Sequence, residues 1–372
     1  MKLNVKFWAT TFTLSGTIIG AGILGLPYVF SQSGFLIGLF WLVFLGIIMT
    51  FLNLCLGEVS LRTKGVHQIP GYARKYLGKT GEKIMFFAMF FGIYSALIAY
   101  LIGEGQSFSK LFFGNFDYSI YFAVGFWVVM TLLLHEGLKG LKKIELWGVL
   151  GIIILIFSIF FYYIPKVNFD NLLYLDFSNL LLPLGVVFFA LLGFSSIPEL
   201  RMEIKGEEKL FRKAILTGSL IPIFLYFIFS FVFVGVLGKG VKEVATLSFG
   251  NILPLLGIFT MFTCYLVLSF SLRDIFIYDL KKKKMSFVFV SAIPLFLYFA
   301  INFLKLADFV KVLGVGGVIS GGLVGILILL MNIKAKKKGN RKPEFSIPLN
   351  WFVLGLLSLI FILGIIAELF FN

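Results

Sequence analysis

Between Leu14 and Tyr28 the chain reads Leu-Ser-Gly-Thr-Ile-Ile-Gly-Ala-Gly-Ile-Leu-Gly-Leu-Pro-Tyr, which places Gly16, Gly20, Gly22 and Gly25 ahead of Pro27. The stretch is apolar enough to enter a membrane, yet glycine costs a helix interior about 1 kcal/mol and proline about 3 kcal/mol relative to alanine, so a continuous helix is poorly specified. The chemistry on offer is that of the backbone itself. A break frees N–H and C=O groups, and in hydrocarbon each one left unsatisfied costs several kcal/mol. An interruption there is tolerated only where protein buries it or where it lines a polar cavity, so this one is expected to form a binding site. The stretch Phe188 to Arg201 repeats the oddity: Gly193, Ser195, Ser196 and Pro198 lie in mid-span, with the same spacing from Gly193 to Pro198 as from Gly22 to Pro27.

Other chemistries find no support in the residue types. His67 and His135 are far apart, Cys55 and Cys264 both fall in apolar stretches, and no His, Cys and carboxylate group stands at metal-ligand spacing. No nucleophile, base and orienting group converge as an enzyme requires. The Gly-rich phosphate loop of an ATP-driven pump is also missing. Within the third apolar stretch, Tyr94 lies near mid-depth and is a candidate site residue. Glu104 lies toward the outer end, and an acid inside a span is a functional candidate by default, here as a carrier of a coupling proton.

These residues need a scaffold that crosses a membrane. Of the 372 residues, 59% are hydrophobic and 14% charged, with 47 Phe, far from a water-soluble composition. Eleven spans of about 20 residues each match a hydrocarbon core about 30 Å thick. Their limits are 8 to 31, 35 to 61, 82 to 112, 118 to 136, 144 to 164, 179 to 199, 214 to 238, 250 to 278, 286 to 303, 309 to 332 and 349 to 371. The formal charge of +15 does not call for a nucleic-acid partner. With the N-terminus inside, all but Lys110, Lys166, Lys239, Lys242, Lys305 and Lys311 of the 33 Lys and Arg fall in cytoplasmic segments, as the positive-inside rule and an anionic inner leaflet demand. Eleven spans put the C-terminus outside, in a multi-pass protein of the plasma membrane with membrane lipid as its surroundings and no obligatory protein partner.

The interrupted spans, one and six, stand five apart. That is the pattern of two repeated five-helix halves, about 8–164 and 179–332, around a midplane site, with an extra helix at 349–371 and a single transmembrane domain over 1–372. A polar segment separates spans two and three, and another, Gly238 to Ser248, separates spans seven and eight. The charge bias puts them on opposite sides, so the repeat is expected to be inverted. In the first segment, Val66, Ile69, Tyr72, Ala73, Tyr76 and Leu77 recur near helical spacing beside Arg74 and Lys75, which predicts a short amphipathic helix at the inner surface.

With both breaks identified, the chain resembles the amino acid/polyamine/organocation superfamily, and within it the auxin-permease and aromatic amino acid permease branches. The resemblance rests on Gly20-Ala-Gly-Ile-Leu-Gly-Leu-Pro-Tyr28 followed by Gln32-Ser-Gly-Phe35, on Gly193-Phe-Ser-Ser-Ile-Pro-Glu199, and on Thr263-Cys-Tyr-Leu with Arg273-Asp274. It implies the all-α LeuT-type inverted repeat, and amino acids as substrates. Carried over by residue, it implies substrate contacts at Thr17, Ile18, Gly20, Ala21 and Gly22 and at Gly193, Phe194, Ser195 and Ser196. Where such proteins couple to sodium, the resemblance implies an ion held by the carbonyls of Gly16 and Ile19 and the hydroxyl of Thr263. Cys264 stands where a second hydroxyl is common, and a thiol is a poor ligand for a hard cation. The coupling ion is thus left between a proton and sodium, and no other cofactor is implied.

The interrupted segments 16 to 22 and 193 to 196 contain no charged side chain. A charged substrate side chain would go unpaired at mid-membrane at a cost of several kcal/mol. The expectation is therefore a secondary active transporter of neutral, apolar or aromatic amino acids, working by alternating access. The competing reading is a membrane sensor that binds an amino acid without moving it; such sensors usually add a signalling tail or domain, and the spans here run nearly from one end of the chain to the other.

Overall fold

The computed structural model describes residues 4–136, 141–250, 253–274, 276 and 283–370, with the backbone alone at 136, 141–149, 274, 283 and 284. The expected basic turn Gly137 to Lys143 and the loop Lys281 to Lys284 lie outside the described side chains. The long helices are α1 (Val5–Ile18), α2 (Gly22–Ser33), α3 (Phe35–Leu61), α4 (Ile69–Phe113), α5 (Ser119–Glu136), α6 (Leu141–Tyr163), α8 (Leu182–Ala190), α9 (Ile197–Glu203), α10 (Phe211–Leu237), α11 (Pro254–Asp274), α13 (Ile293–Phe303), α14 (Phe309–Gly316), α15 (Gly322–Lys338) and α16 (Trp351–Phe370). Short α7 (Asp170–Leu173) and α12 (Lys283–Phe287) lie between them.

Among the described residues, eight helices are long and apolar enough to cross a membrane, and the bent pair α1 and α2 makes a ninth. Two shorter apolar helices, Ser119–His135 and Leu150–Lys166, stand where the fourth and fifth spans were expected. The protein is thus an all-α, multi-pass membrane protein. Exposed Phe, Leu and Ile along α5, α13 and α16 fit a lipid-facing surface.

Four features position the centre of the bundle. α1 starts at Asn4, whose side chain accepts the Phe7 N–H at 3.1 Å and so satisfies one orphan donor of the first turn. α4 changes direction at Gly78, where φ is 81°, which leaves 69–77 as a separate short helix. In that helix Ile69, Tyr72, Ala73 and Tyr76 are buried and Arg74 and Lys75 exposed, as the periodicity predicts, with Tyr76 hydrogen-bonded to Thr63 at 2.7 Å; Val66, expected on the apolar face, lies outside the helix and is exposed. α14 and α15 run through a π-helical stretch, Gly317–Gly321. There a Cβ on Gly317 would come within 2.4 Å of the Gly185 carbonyl, so this glycine-rich stretch lets α8 and α14 pack backbone to backbone. At the centre α2 and α8 lie against each other, with α3 and α14 touching both and α10 packed on α2.

Candidate functional site

α1 ends at Ile18 because the next donors find other partners. The Gly20 N–H bonds to Ile18 O at 2.8 Å rather than to Gly16 O, and the Ile23 N–H bonds to Gly20 O at 3.3 Å rather than to Ile19 O. The carbonyls of Gly16 and Ile19 are thereby left outside the helical ladder. α2 resumes at Gly22, bent by 56° from α1. The second interruption is built likewise. α8 stops at Ala190, a single tight turn covers Phe194–Ser196, and the Ser196 hydroxyl donates to Gly193 O at 3.0 Å before α9 begins.

The two interruptions touch. A Cβ on Gly22 would lie 2.5 Å from Ala190 Cα, and one on Gly193 would lie 2.5 Å from Ile18 Cγ1. Separations of that size are essentially never met, so hydrogen is what allows each break to press on the other. Tyr226 of α10 ties them together. Its hydroxyl, fully buried, shares its single proton between Ile18 O at 2.6 Å and Ala190 O at 2.9 Å, the last carbonyls of α1 and α8, and it receives the Gly20 N–H. Ile18 O also accepts the Gly20 N–H, so the hydroxyl matters most to Ala190 O, where an unpaired buried carbonyl would cost about 1–3 kcal/mol. No sequence motif marks Tyr226, a lone Tyr in an apolar run.

A second hydroxyl arrives from α4. Tyr100 contacts the backbone of Ala21 and the thiol of Cys264 on α11, and a Cβ on Gly20 would sit 3.7 Å from its oxygen and 3.6 Å from Cys264 Sγ. Tyr94, the sequence candidate, is not brought to the break; its hydroxyl donates to Phe289 O at 2.9 Å. The helical repeat explains the difference. Tyr100, Glu104 and Ser107 stand at i, i+4 and i+7 on one face of α4, all buried, and that spacing could have singled out Tyr100. Neither oxygen of Glu104 nor the hydroxyl of Ser107 has a hydrogen-bond partner among the described residues.

Thr17, named for the substrate, donates to Thr13 O at 2.9 Å, and Thr263, named for an ion, donates to Phe259 O at 3.1 Å and Thr260 O at 2.9 Å, so both hydroxyls are engaged with their own helices. Cys264, rather than Thr263, approaches Gly20. Two freed carbonyls and a thiol make a sparse set for sodium, which takes hard oxygen ligands. Phe194 is buried over the second break.

Exposure is uneven. Thr13, Gly16, Thr17 and Gly20 are partly exposed at i, i+3, i+4 and i+7 along one face of α1, and Ser195, Glu199 and Glu203 are exposed or partly exposed four residues apart at α9. The Thr13 hydroxyl donates to Glu203 Oε1 at 3.3 Å and joins the two stripes. At the opposite face Glu243, in the segment between α10 and α11, lies against Asp308, which caps α14 by accepting the Lys311 N–H at 2.8 Å. Burial, and then the neighbouring Asp308 carboxylate, raise the Glu243 carboxyl to about 7.

The sequence matches the profile of the tryptophan/tyrosine permease family over residues 4–369. It is similar to tyrosine-specific transport system 1 of Haemophilus influenzae, 28% identical over 253 residues covering 65% of this chain and 62% of that protein. Tyrosine-specific transport system 2 of the same organism is 29% identical over 64% of this chain and 60% of its own length. Glutamine transporter 2 of Aliivibrio fischeri is 25% identical over 63% of this chain and 62% of its own length. The matched region thus spans about three-fifths of the length of these relatives.

Proposed function

The chain belongs to the tryptophan/tyrosine permease family, and from that premise we propose that it is a secondary transporter of neutral amino acids, aromatic ones foremost, whose substrate sits between the two interruptions. The carrying observation is the contact of the breaks themselves: the last carbonyls of α1 and α8 meet at Tyr226, and the Tyr100 hydroxyl reaches the backbone of Ala21 just before α2. Carbonyl ends carry partial negative charge and suit an ammonium; a helix start carries partial positive charge and suits a carboxylate. No charged side chain lies at 16–22 or 193–196, so a neutral substrate side chain fits. The names of the tyrosine transporters are consistent with an aromatic substrate, and that of the glutamine transporter with a neutral polar one.

The interrupted spans, five apart, support a LeuT-type inverted repeat of the wider amino acid/polyamine/organocation group, with eleven helices. The basic bias supports a cytoplasmic N-terminal face in the plasma membrane. The polar stripes of α1 and α9 then make this an inward-open state, reached from that face and sealed at the other. Coupling is assigned to a proton at Glu104. A carboxylate buried without a counter-charge costs several kcal/mol, so Glu104, deep in α4 and without a hydrogen-bond partner among the described residues, is the acid to which the proton is given. The sparse oxygen set argues against sodium.

Uptake of a labelled amino acid panel into proteoliposomes, under an imposed pH gradient and separately a sodium gradient, tests this. The expected result is pH-driven uptake of tyrosine, tryptophan or another neutral amino acid. Preference for charged amino acids would overturn the substrate assignment, and uptake driven by sodium but indifferent to pH would overturn the coupling.

A further inference from the structure

On the N-terminal face, away from the breaks, lies a cleft of about 560 Å³ lined by Lys64, Gly65, Val66, Arg201, Met202, Lys205, Glu208 and Arg341. Three regions far apart in sequence converge there: the loop after α3, the end of α9 with the turn that follows, and the segment between α15 and α16. We propose that this cleft binds the phosphate of an anionic ligand, as presented by an anionic phospholipid headgroup or by free phosphate.

Its two guanidinium groups are set in advance. Arg201 donates to Gly65 O and Thr63 O, both at 2.8 Å, and Arg341 donates to Leu61 O at 2.9 Å and pairs with Glu344. A guanidinium already held on backbone carbonyls loses little entropy when an oxyanion arrives, and its fork matches phosphate geometry. Lys64 and Lys205, by contrast, have no ion-pair partner among the described residues. The lining therefore carries four cations against one carboxylate, Glu208. Burial raises the Glu208 carboxyl, but backbone hydrogen bonds and then Arg341 and Arg201 outweigh it and hold the group below its usual range. Just outside, burial and then Arg201 lower the Lys75 ammonium. The cations thus crowd one another with too little anion among them. A positive-inside bias alone would scatter its charges over a solvated face; here they converge on a concavity.

The consequence is mechanical. Arg201 belongs to the half-helix that leads from the second break and already holds the loop after α3, so a phosphate bridging it to Lys64 would strengthen that tie and further restrain the mouth of the access stripe. Access to an inner-leaflet lipid rests on the cytoplasmic placement of this face. Binding in detergent does not, so the two ideas fail separately.

The test is the unfolding temperature of the purified full chain in a neutral detergent, with phosphatidylglycerol, phosphatidylcholine or inorganic phosphate added at matched ionic strength. The wild type should shift up by a few degrees with phosphatidylglycerol and not with phosphatidylcholine. The double variant Lys64→Gln/Lys205→Gln should lose the shift, Lys64→Arg/Lys205→Arg should keep it, and Lys79→Gln/Lys83→Gln, which removes the same charge elsewhere, should keep it too. A shift with phosphatidylglycerol alone identifies the lipid as the source; a shift with inorganic phosphate identifies free phosphate. Either upholds the site. No shift, or an equal shift in Lys64→Gln/Lys205→Gln, overturns it.

Discussion

The two halves of the interrupted helices differ in what surrounds them. Beyond the breaks, α2 and α8 are buried almost along their whole length, down to glycines pressed on neighbouring backbone. On the other side of each break, α1 and α9 keep polar or small residues partly exposed at helical spacing. Dense packing covers one half, and a partly exposed polar face runs along the other. Sequence composition separates them only in part: α9 carries Glu199, Arg201 and Glu203, whereas α1 is about as apolar as α2. What separates them is whether a glycine is there to let backbone approach backbone, as at Gly22, or to leave room, as at Gly20.

The largest expected effect breaks that contrast at the sealed half. Gly22→Leu drives a side chain into Ala190, and overpacking of this kind costs about 1–3 kcal/mol or more, so uptake should fall to background at near-normal expression. Gly20→Ala, whose Cβ would have ordinary protein contacts at 3.6 and 3.7 Å, should fold as the wild type does and lose far less uptake than Gly22→Leu. Equal behaviour of the two variants in the same uptake assay would erase the distinction.

Next come two buried carboxylates. Glu58 of α3 accepts from Arg62 Nε at 2.7 Å, Asn332 Nδ2 at 3.0 Å, Ser346 Oγ at 2.8 Å and the Ile347 N–H at 2.8 Å, binding α3 to α15 and the approach to α16. Glu104, as deeply buried, accepts nothing among the described residues. Four donors make a structural clasp; none makes a group kept for a change of state. Glu58→Gln should lower the unfolding temperature, by the equivalent of about 1–3 kcal/mol, and leave the pH response of uptake intact. Glu104→Gln should leave the unfolding temperature nearly unchanged and cut pH-driven uptake about tenfold or more, on the scale of 1.4 kcal/mol or above.

A labelling contrast sharpens the comparison further. In a Cys264→Ser background, Ser195→Cys should react with a membrane-impermeant thiol reagent offered at the N-terminal face, and Val29→Cys in α2 should react from neither side. Modification of Val29→Cys at a similar rate would mean that the far half is not sealed.

The smallest effect concerns the far-face contact of Glu243 with Asp308. Because the Glu243 carboxyl is raised to about 7 in the folded protein, against about 4.3 for an unfolded glutamate, its contribution is present in full below about pH 4 and fades as pH rises through 7. The unfolding temperature should therefore fall slightly between about pH 5 and 8, and Glu243→Gln should flatten that slope. The same slope in both proteins would remove Glu243 from the account.

Much of this was legible in the sequence, for physical reasons. Glycine and proline in an apolar run announce a break because hydrocarbon offers no substitute for a lost backbone bond, and the structure interrupts the chain at 19–21 and between Ala190 and Ile197. The amphipathic segment was legible because Tyr72 and Tyr76 recur at helical spacing, though its helix starts only at Ile69. Tyr226 was not legible, since its role depends on two carbonyls far away in the chain. Depth in the span points to Tyr94, whereas the face shared with Glu104 decides that the Tyr100 hydroxyl reaches the break. Which of Thr263 and Cys264 turns toward Gly20 depended on the rotation of α11, which its evenly apolar surface leaves unmarked.

The central claim is that substrate sits between the two interruptions, and a cryo-electron microscopy map of the purified chain with saturating tyrosine tests it most directly. The account predicts density for the amino acid bounded by Gly20 and Ala21, the Tyr100 hydroxyl and the Gly193 to Ser196 turn, with its ring against Phe194. Ordered tyrosine elsewhere in the bundle, with those residues unchanged from the ligand-free state, would contradict it.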